Sequence, residues 1–229
     1  MCSIVLHIGT DSVFIAANRD ELTDRLWDPP AEYWPGICGG RDRIGGGTWA
    51  ALNRYNVFAA LLNREGTLGP AAGKTSRGNL PLLALTYKTA AQAAAALQTL
   101  NAGIYRSFNL VIADATGAFL LRGFESGNPK PLALSHGVTM ITSGEPNDIF
   151  SPRIAYHLPR FRETRPEDWK GLLTDNSGSR AEQLNVTPPS GGFGTVCSTF
   201  IHLPLHGAAS HLFAAGPPDQ SPFLPIACF

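Results

Sequence analysis

The first twenty-one residues constrain the fold of this chain more than any other stretch. Two apolar runs, Ile4–Ile8 and Val13–Ala17, flank a turn at Gly9–Asp11, which predicts a β-hairpin. Both faces of each run are apolar, a pattern typical of strands that are covered on both sides. The polar segment Asn18–Glu21 ends the return strand. Because a hairpin returns to its origin, we expect this segment to lie beside the start of the chain.

A cysteine stands at the start of this hairpin. If Met1 is removed, as is expected before a small residue, Cys2 carries both a thiol and a free α-amine. An α-amine has a pKa of about 7.7 to 8 and can act as a base near neutral pH. Nucleophiles activated by their own amine are an established form of covalent catalysis. Asn18 and Asp20 would then orient the amine. The alternative is that Cys2 is a small buried hydrophobe, the usual role of a free cysteine.

The composition bounds the class of protein. Eighteen basic and eighteen acidic residues give a formal charge of zero, so no overall field favours nucleic acid or an anionic membrane. The 229 residues suffice for one substantial domain, and without a visible linker we predict a single domain over 1–229. The 24 glycines and 18 prolines imply many turns and favour a strand-rich fold. No apolar run approaches the roughly 18 residues of a membrane span.

The four cysteines show neither a Cys-x-x-Cys pair nor zinc-ligand spacing; they are Cys2, Cys38, Cys197 and Cys228. The chain also begins without the basic and apolar regions of a secretory signal. We therefore predict reduced thiols and a cytoplasmic location. No metal site is expected, and no cofactor is required.

Elsewhere the chain reads as strands, two helices, strands, helices and a last hairpin. Leu22–Ile37, rich in aromatic residues and proline, predicts an extended loop that either walls a pocket or covers one edge of the core. The absence of a regular βαβ alternation favours an antiparallel α+β fold with two facing sheets covered by helices. The predicted helices are 80–87, 90–100 with Thr89 as its N-cap, 152–161 and 166–173. The predicted later strand pairs are 108–113 with 118–124, 132–134 with 138–142, and 195–203 with 208–214.

Six short motifs spread along the whole chain resemble one known family. They are Met1–Cys2, Ala17–Glu21, Gly46–Trp49, Ser76–Gly78, Phe108–Leu110 and Gly194–Thr195. Together they resemble the NRDE-motif family, also called the transport and Golgi organisation protein family. The resemblance implies a four-layer αββα sandwich of the N-terminal-nucleophile hydrolase type with antiparallel sheets. It also implies links to haem trafficking and to acyl-CoA and lipid metabolism rather than to a defined reaction.

The chain is more distantly similar to cysteine amidases of the penicillin V acylase and bile salt hydrolase type. Those enzymes have Cys at position 2 and Arg-Asn-x-Asp at the end of the return strand. Here Ala17 stands in the place of their arginine, Gly144 in the place of an oxyanion-binding Asn, and Val196 in the place of a later arginine. Losing one oxyanion donor costs about 3 kcal/mol of transition-state stabilisation. Asn109, or backbone amides near Gly144, would have to compensate.

Two functional hypotheses follow. In the first, Cys2 attacks a small amide or thioester substrate. In the second, the same pocket binds haem, acyl-CoA or a lipid without catalysis, with Cys2 or a histidine as a haem ligand; a weaker third reading is an interaction module. Either way the partner is a small molecule, and no oligomeric state is indicated. Arg19 should point away from its two neighbours, because successive strand residues face opposite sides. The candidate catalytic residues are Cys2, Asn18, Arg19, Asp20 and Asn109, and the candidate substrate-binding residues are Trp34, Thr48, Trp49, Gly144 and Thr195.

Overall fold

The computed structural model describes residues 2–188 and 192–228, which form two compact units. Unit 1 contains the residues up to Arg25 together with Ser135–Ile226, and unit 2 contains Leu26–Leu134 with the C-terminal residues from Ala227. Each unit has one antiparallel sheet with helices packed on it. None of the helices in the described residues is long and apolar enough to cross a membrane.

The bounds of the described elements are as follows. The strands are β1 (Ser3–Ile8), β2 (Ser12–Leu22), β3 (Trp27–Trp34), β4 (Ile37–Asp42), β5 (Ala50–Asn53), β6 (Phe58–Asn63), β7 (Phe108–Asp114), β8 (Gly117–Gly123), β9 (Lys130–Ala133), β10 (Gly137–Ile141), β11 (Phe193–Pro204), β12 (Ser210–Ala214) and β13 (Leu224–Pro225). The α-helices are α1 (Leu80–Ala84), α2 (Ala90–Leu97), α3 (Pro152–Glu163) and α4 (Trp169–Leu173).

The sheet of unit 1 has six strands in the order β10-β1-β2-β11-β12-β13. The predicted opening hairpin is confirmed: Ser3 pairs with Asn18 and Ile8 with Val13. Nearly every residue of β1, and most of the first nine of β2, is buried, as expected for strands covered on both faces. One face packs against α3 and α4 through a cluster made of Val5, Phe14, Ala16, Met140, Ile154, Leu158, Phe161, Trp169, Leu173, Leu184 and Phe200.

Unit 2 is a seven-stranded meander in which β3 to β9 are neighbours in chain order. Helices α1 and α2 pack on one face through buried leucines and alanines. Thr89 caps α2 as predicted, because its hydroxyl accepts a hydrogen bond from the Gln92 N–H at 3.2 Å. Helix α1 ends at Ala84 and is therefore shorter than predicted.

Two of the motifs meet in unit 2. The Thr48 N–H donates to the Gly78 carbonyl at 2.9 Å, and a Cβ at position 47 would lie 2.3 Å from that same oxygen. Gly47 is therefore required by close backbone approach. Next to Gly78, the buried Arg77 guanidinium donates to the carbonyls of Thr67 and Ser107 at 2.8 Å, so it fixes the loop after β6.

The segment 22–37, for which the sequence predicts an extended loop, contains a strand. Residues Trp27–Trp34 form β3, which pairs with β4 at an irregular register. Pro29 and Pro30 are tolerated there because β3 is an edge strand, where a missing N–H does not break a ladder. The prediction of an extended loop over 22–37 is therefore wrong.

A second correction concerns the short strand pair. Strands β9 and β10 exist but do not pair: β9 pairs with β8 in unit 2, and β10 pairs with β1 in unit 1. The turn residues between them suggested a hairpin. Long-range pairing with β1 determines instead where β10 lies.

A disulfide overturns part of the cysteine prediction. Cys38 on β4 is joined to Cys228, 190 residues later and also in unit 2, while Cys2 and Cys197 are free thiols. A pairing over that separation has no local signature in the sequence. Because disulfides are rare in reducing compartments, the bond weakens the argument for a cytoplasmic location, which stays a prediction.

The disulfide predicts a thiol count. Protein denatured without reductant should incorporate two iodoacetamide groups, and reduced protein four, because two of the four cysteines are bridged. Intact-mass spectrometry measures both numbers. Incorporation of four groups without reductant would contradict the bond, and a Cys228→Ser variant, which should incorporate three, is the control.

Burial of His211 predicts that the stability of unit 1 depends on pH. His211 on β12 is 8% exposed, its Nε2 has no hydrogen-bond partner within the described residues, and burial lowers its pKa to about 4. The folded chain therefore keeps it neutral while the unfolded chain binds a proton below pH 6.5. Its contribution to stability is complete above that pH and is lost as the pH falls towards 4.

We predict that the free energy of unfolding falls by up to about 3 kcal/mol from this residue between pH 6.5 and pH 4. A His211→Phe variant, which cannot titrate, should show a flatter dependence. Urea denaturation at several pH values measures both curves. Parallel curves for the two proteins would rule out a neutral buried histidine.

Candidate active site

Cys2 lies immediately before β1, at the end of the sheet where β2 carries the Asn18–Glu21 segment. Its thiol donates to the backbone carbonyl of Asp20 at 3.5 Å. The residue is half-buried. The hairpin therefore brings the first cysteine to the polar segment, as the sequence predicted. Met1 lies outside the described residues, so its removal stays a prediction.

The Asp20 side chain is fully buried, and both of its carboxylate oxygens accept hydrogen bonds. Its Oδ2 accepts from Arg153 Nη1 at 3.0 Å, and its Oδ1 accepts from Thr195 Oγ at 2.7 Å. Arg153 Nη1 also donates to Ser3 Oγ at 3.0 Å, and the arginine side chain is only 4% exposed. A desolvated carboxylate is stable as an ion when a cation and further donors compensate its charge. This group of residues therefore fixes the carboxylate beside the start of β1.

Thr195 owes its position to an irregularity in β11. It pairs with Asp20, whereas Cys197 pairs with Arg19, so Val196 is the extra residue of a β-bulge. The Thr195 hydroxyl donates to Asp20 and accepts from the Val186 N–H at 2.8 Å. Its hydroxyl proton is thus engaged by the carboxylate. The structure places this predicted substrate-binding residue as a neighbour of Asp20.

Asn18 is bonded into unit 1 by all its polar groups. Its Nδ2 donates to the carbonyls of Leu173 and Leu184 at 2.9 and 3.0 Å, and its Oδ1 accepts from Ser198 Oγ at 2.6 Å. Both amide hydrogens are thereby used on backbone groups around the end of α4. The Asn18 side chain therefore connects β2 with α4 and β11. Its predicted role in orienting the Cys2 amine stays a prediction.

Arg19 is directed to different partners from its two neighbours. It is buried, lies opposite Cys197 on β11 and forms an ion pair with Glu21 at 3.6 Å. Its positive charge acts on both free thiols, lowering the pKa of Cys2 and of Cys197. The continued register of β1 and β2 places Cys2, Arg19 and Cys197 on one level across three strands.

The net electrostatic environment keeps both thiols protonated. Burial is the largest cause that raises the pKa of the Cys2 thiol, followed by the negative charge of Asp20. Burial also raises the pKa of Cys197 to about 12. In this arrangement Cys2 is a thiol at neutral pH, so it requires a base or an added positive charge to act as a nucleophile.

The model of the family described as Transport and Golgi organisation 2 matches residues 1–164. The chain belongs to this family. Those residues include the opening hairpin, all of unit 2 except its C-terminal residues, and α3 with Arg153. Family membership confirms the resemblance seen in the sequence motifs.

Solved structures show the fold of this family member. An N-acylethanolamine-hydrolyzing acid amidase ortholog from Caenorhabditis elegans matches with a TM-score of 0.60 and 11% identity, covering 99% of this chain and 100% of that one. Penicillin V acylase from Agrobacterium tumefaciens matches with a TM-score of 0.53 and 15% identity, covering 94% and 83%. An arginine-to-leucine variant of the conjugated bile acid hydrolase from Clostridium perfringens matches with a TM-score of 0.53 and 9% identity, covering 100% and 97%. No curated protein matches the chain in sequence.

These likenesses confirm the predicted fold class. The chain is an α+β protein with antiparallel sheets and has the fold of the N-terminal-nucleophile hydrolases. At 9 to 15% identity the likeness is one of fold, and the chemistry has to be argued from the residues of this chain.

Gly144 also lies in unit 1, close to the Cys2 end of the sheet. It follows β10, and Ile141 of β10 pairs with Ile4 of β1. Continuing that register places residue 143 at the level of Cys2. The predicted residues of unit 1 therefore lie at the same end of its sheet; they are Cys2, Asn18, Arg19, Asp20, Gly144 and Thr195.

The other four predicted residues belong to unit 2. Asn109 is buried on β7, and its Oδ1 accepts from Arg64 at 2.7 Å. Trp49 packs edge-on against Trp27 with ring centroids 5.8 Å apart. Thr48 bonds to the backbone of Ala50, and Trp34 packs edge-on against Tyr33. The roles predicted for these four in oxyanion or substrate binding stay predictions.

Sequence reasoning missed Arg153. It stands in the first turn of α3, 133 residues after Asp20, and no local motif marks it as the partner of that carboxylate.

The described residues contain no group of three or more His, Cys, Asp or Glu side chains able to hold a metal ion. The side chains described at the site are the Cys2 thiol, the Asp20 carboxylate, the guanidinium groups of Arg19 and Arg153, and the Thr195 hydroxyl.

The contacts of Asn18 predict a structural cost for its removal. Asn18→Ala should lower the free energy of unfolding by about 2 to 4 kcal/mol, because two buried carbonyls and the Ser198 hydroxyl lose their partner. Ser198→Ala, which removes only one of these bonds, is the matched control and should cost less. Urea denaturation measures both. A loss below 0.5 kcal/mol for Asn18→Ala would contradict the assigned contacts.

Proposed function

We propose that this protein is an N-terminal-cysteine hydrolase-like enzyme that cleaves a small amide or thioester substrate. The observation that carries the proposal is the contact between the Cys2 thiol and Asp20, whose carboxylate is buried and fixed by Arg153 and Thr195. The fold of the N-terminal-nucleophile hydrolases supports it, because a residue at the start of the chain supplies both groups that the chemistry needs.

The first step requires the free α-amine of Cys2. After removal of Met1 this amine takes the thiol proton, and the sulfur attacks the substrate carbonyl carbon. As the tetrahedral intermediate collapses, the bond from carbon to the leaving nitrogen or sulfur breaks and the proton passes to that leaving group. The product of this step is an acyl thioester on Cys2. In the second step water adds to the thioester, the carbon–sulfur bond breaks, the acid leaves and the thiol regains its proton.

Charges around Cys2 fit this sequence of steps. Once the Cys2 amine has taken the thiol proton, its positive charge is next to the sulfur and stabilises the thiolate. This effect opposes burial and the negative charge of Asp20, which raise the pKa of the thiol. Arg19 adds a second cation whose charge lowers the pKa of Cys2. Asp20 is suited to hold the amine, since a buried ionised carboxylate stabilises an ammonium group next to it.

The choice of an acyl substrate has two supports. The solved structures with this fold are named an acylethanolamine-hydrolyzing amidase, a penicillin V acylase and a bile acid hydrolase. The sequence also has Ala17, Gly144 and Val196 where the amidases carry an arginine, an asparagine and an arginine. A thioester is more reactive than an amide and requires less oxyanion stabilisation, so it suits this site better.

The second candidate is binding of haem, acyl-CoA or a lipid by the same site without turnover. This candidate applies wherever residue 1 is retained, because the α-amine of Cys2 is then part of a peptide bond and cannot act as a base. Burial raises the pKa of the Cys2 thiol, so without that base the thiol stays protonated and unreactive at neutral pH. Intact-mass spectrometry of the purified protein discriminates between the two. Retained Met1 would exclude the hydrolase mechanism. Binding without turnover is then tested by titrating haem and an acyl-CoA, and no spectral shift or affinity with either would exclude it.

We predict that Cys2→Ala abolishes turnover of short acyl thioesters and anilides while the melting temperature changes by less than about 2 °C, because the residue is half-buried before the first strand. Cys197→Ala is the matched control: it removes the other free thiol, which is fully buried, and should retain turnover. A panel of chromogenic substrates measures the rates. Turnover that is unchanged in Cys2→Ala would refute the nucleophile.

A further inference from the structure

The ion pair between Asp20 and Arg153 is the most deeply buried one described in unit 1. The two side chains are 0% and 4% exposed, and their Oδ2 and Nη1 atoms lie 3.0 Å apart. Removing a charge from water costs several kcal/mol, and breaking a buried pair leaves the other charge uncompensated. Such a pair is therefore expected to have a role beyond stability, and its position beside Cys2 indicates which one.

We propose that Arg153 is a positioning residue of this site, which acts on the Cys2 thiol through the carboxylate of Asp20. The inference deepens the proposed function and rests on it for the reaction, although its effect on the thiol can be measured without turnover. Arg153 comes from α3, so the helical layer of unit 1 contributes to the site as well as the two strands of the hairpin.

The geometry gives Arg153 two contacts that bear on Cys2. One Nη1 atom donates both to Ser3, the residue that follows Cys2, and to Asp20, whose carbonyl accepts from the Cys2 thiol. Thr195 donates to the second carboxylate oxygen. Because both oxygens accept hydrogen bonds, the carboxylate has a fixed orientation. The bond from Arg153 to Ser3 ties the start of β1 to it at the residue beside the nucleophile.

The charges near Cys2 also indicate that Arg153 favours ionisation of the thiol. The groups whose charges act on the Cys2 thiol are Asp20 and Arg19 from β2 and the terminal α-amine. Glu21 pairs with Arg19, Cys197 of β11 lies opposite Arg19, and Arg153 from α3 is bonded to the Asp20 carboxylate. Asp20 disfavours the thiolate, and a cation bonded to Asp20 offsets part of that effect. Loss of the Arg153 charge should therefore make Cys2 harder to ionise.

The test is the pH dependence of Cys2 alkylation by iodoacetamide, followed by mass spectrometry of the N-terminal peptide so that Cys197 does not interfere. Arg153→Gln should raise the midpoint of this curve by about one pH unit, a tenfold lower rate at a fixed pH below it. Arg160→Gln is the matched control on the same helix. It removes the pair between Arg160 and Asp175, away from the Asp20 contacts, and should leave the midpoint unchanged.

A second pair of variants separates action through Asp20 from a general structural effect. Asp20→Asn should lower the midpoint, and adding Arg153→Gln to it should change the midpoint by less than about 0.3 unit, because the carboxylate through which Arg153 acts is gone. An equal shift in both backgrounds, or no shift in either, would overturn the proposal. If Arg153→Gln alone does not fold, Arg153→Lys decides. A lysine keeps the charge but not the guanidinium geometry that contacts Ser3 and Asp20, so its midpoint should rise by at least about 0.3 unit, and a midpoint equal to wild type would overturn the proposal.

Failure of this proposal is distinguishable from failure of the proposed function. Alkylation reports the ionisation of Cys2 whether or not a substrate is turned over. If the alkylation midpoints shift as expected but no turnover is detected, Arg153 is a positioning residue of a non-catalytic site. Turnover that depends on Cys2, with a midpoint unaffected by Arg153, would support the hydrolase and reject the positioning role.

Discussion

The buried Asp20 carboxylate is the group on which the candidate site depends. It comes from β2, its cation comes from α3 and its second donor comes from β11, so one side chain ties three elements of unit 1 together at the start of β1. A buried carboxylate is stable in its ionised form only if its hydrogen-bond donors stay in place. The orientation of the Cys2 thiol, which donates to the backbone of the same residue, therefore follows from the packing of the whole unit.

Because side chains alternate along a strand, the polar residues at the end of β2 contact different partners on its two faces. Asn18 and Asp20 bond to α4, α3 and β11, whereas Arg19 between them faces Cys197 and acts on the charge of both thiols. Ala17 and Arg19 share a face because they are two residues apart. Arg19 thus provides a cation on the face of β2 that also carries Ala17.

Local patterns predicted the parts of the fold that local interactions determine. The opening hairpin, the cap at Thr89 and the approach of Cys2 to Asp20 follow from apolar periodicity and turn residues. Features that depend on partners far along the chain were not predictable in this way, because no local signal encodes them. The pairing of β10 with β1, the disulfide over 190 residues and the contact from Arg153 to Asp20 are of this kind. The edge position that allows two prolines within β3 is likewise a property of the finished sheet.

The central claim is that the first thiol of the chain forms a covalent acyl intermediate. The most direct measurement is to mix the protein with a short acyl thioester, stop the reaction in acid within seconds and map the added mass by peptide mass spectrometry. The account predicts one acyl group on the sulfur of Cys2 in a peptide that begins at that residue. An adduct absent from that peptide, or one found on Cys197 instead, would contradict it.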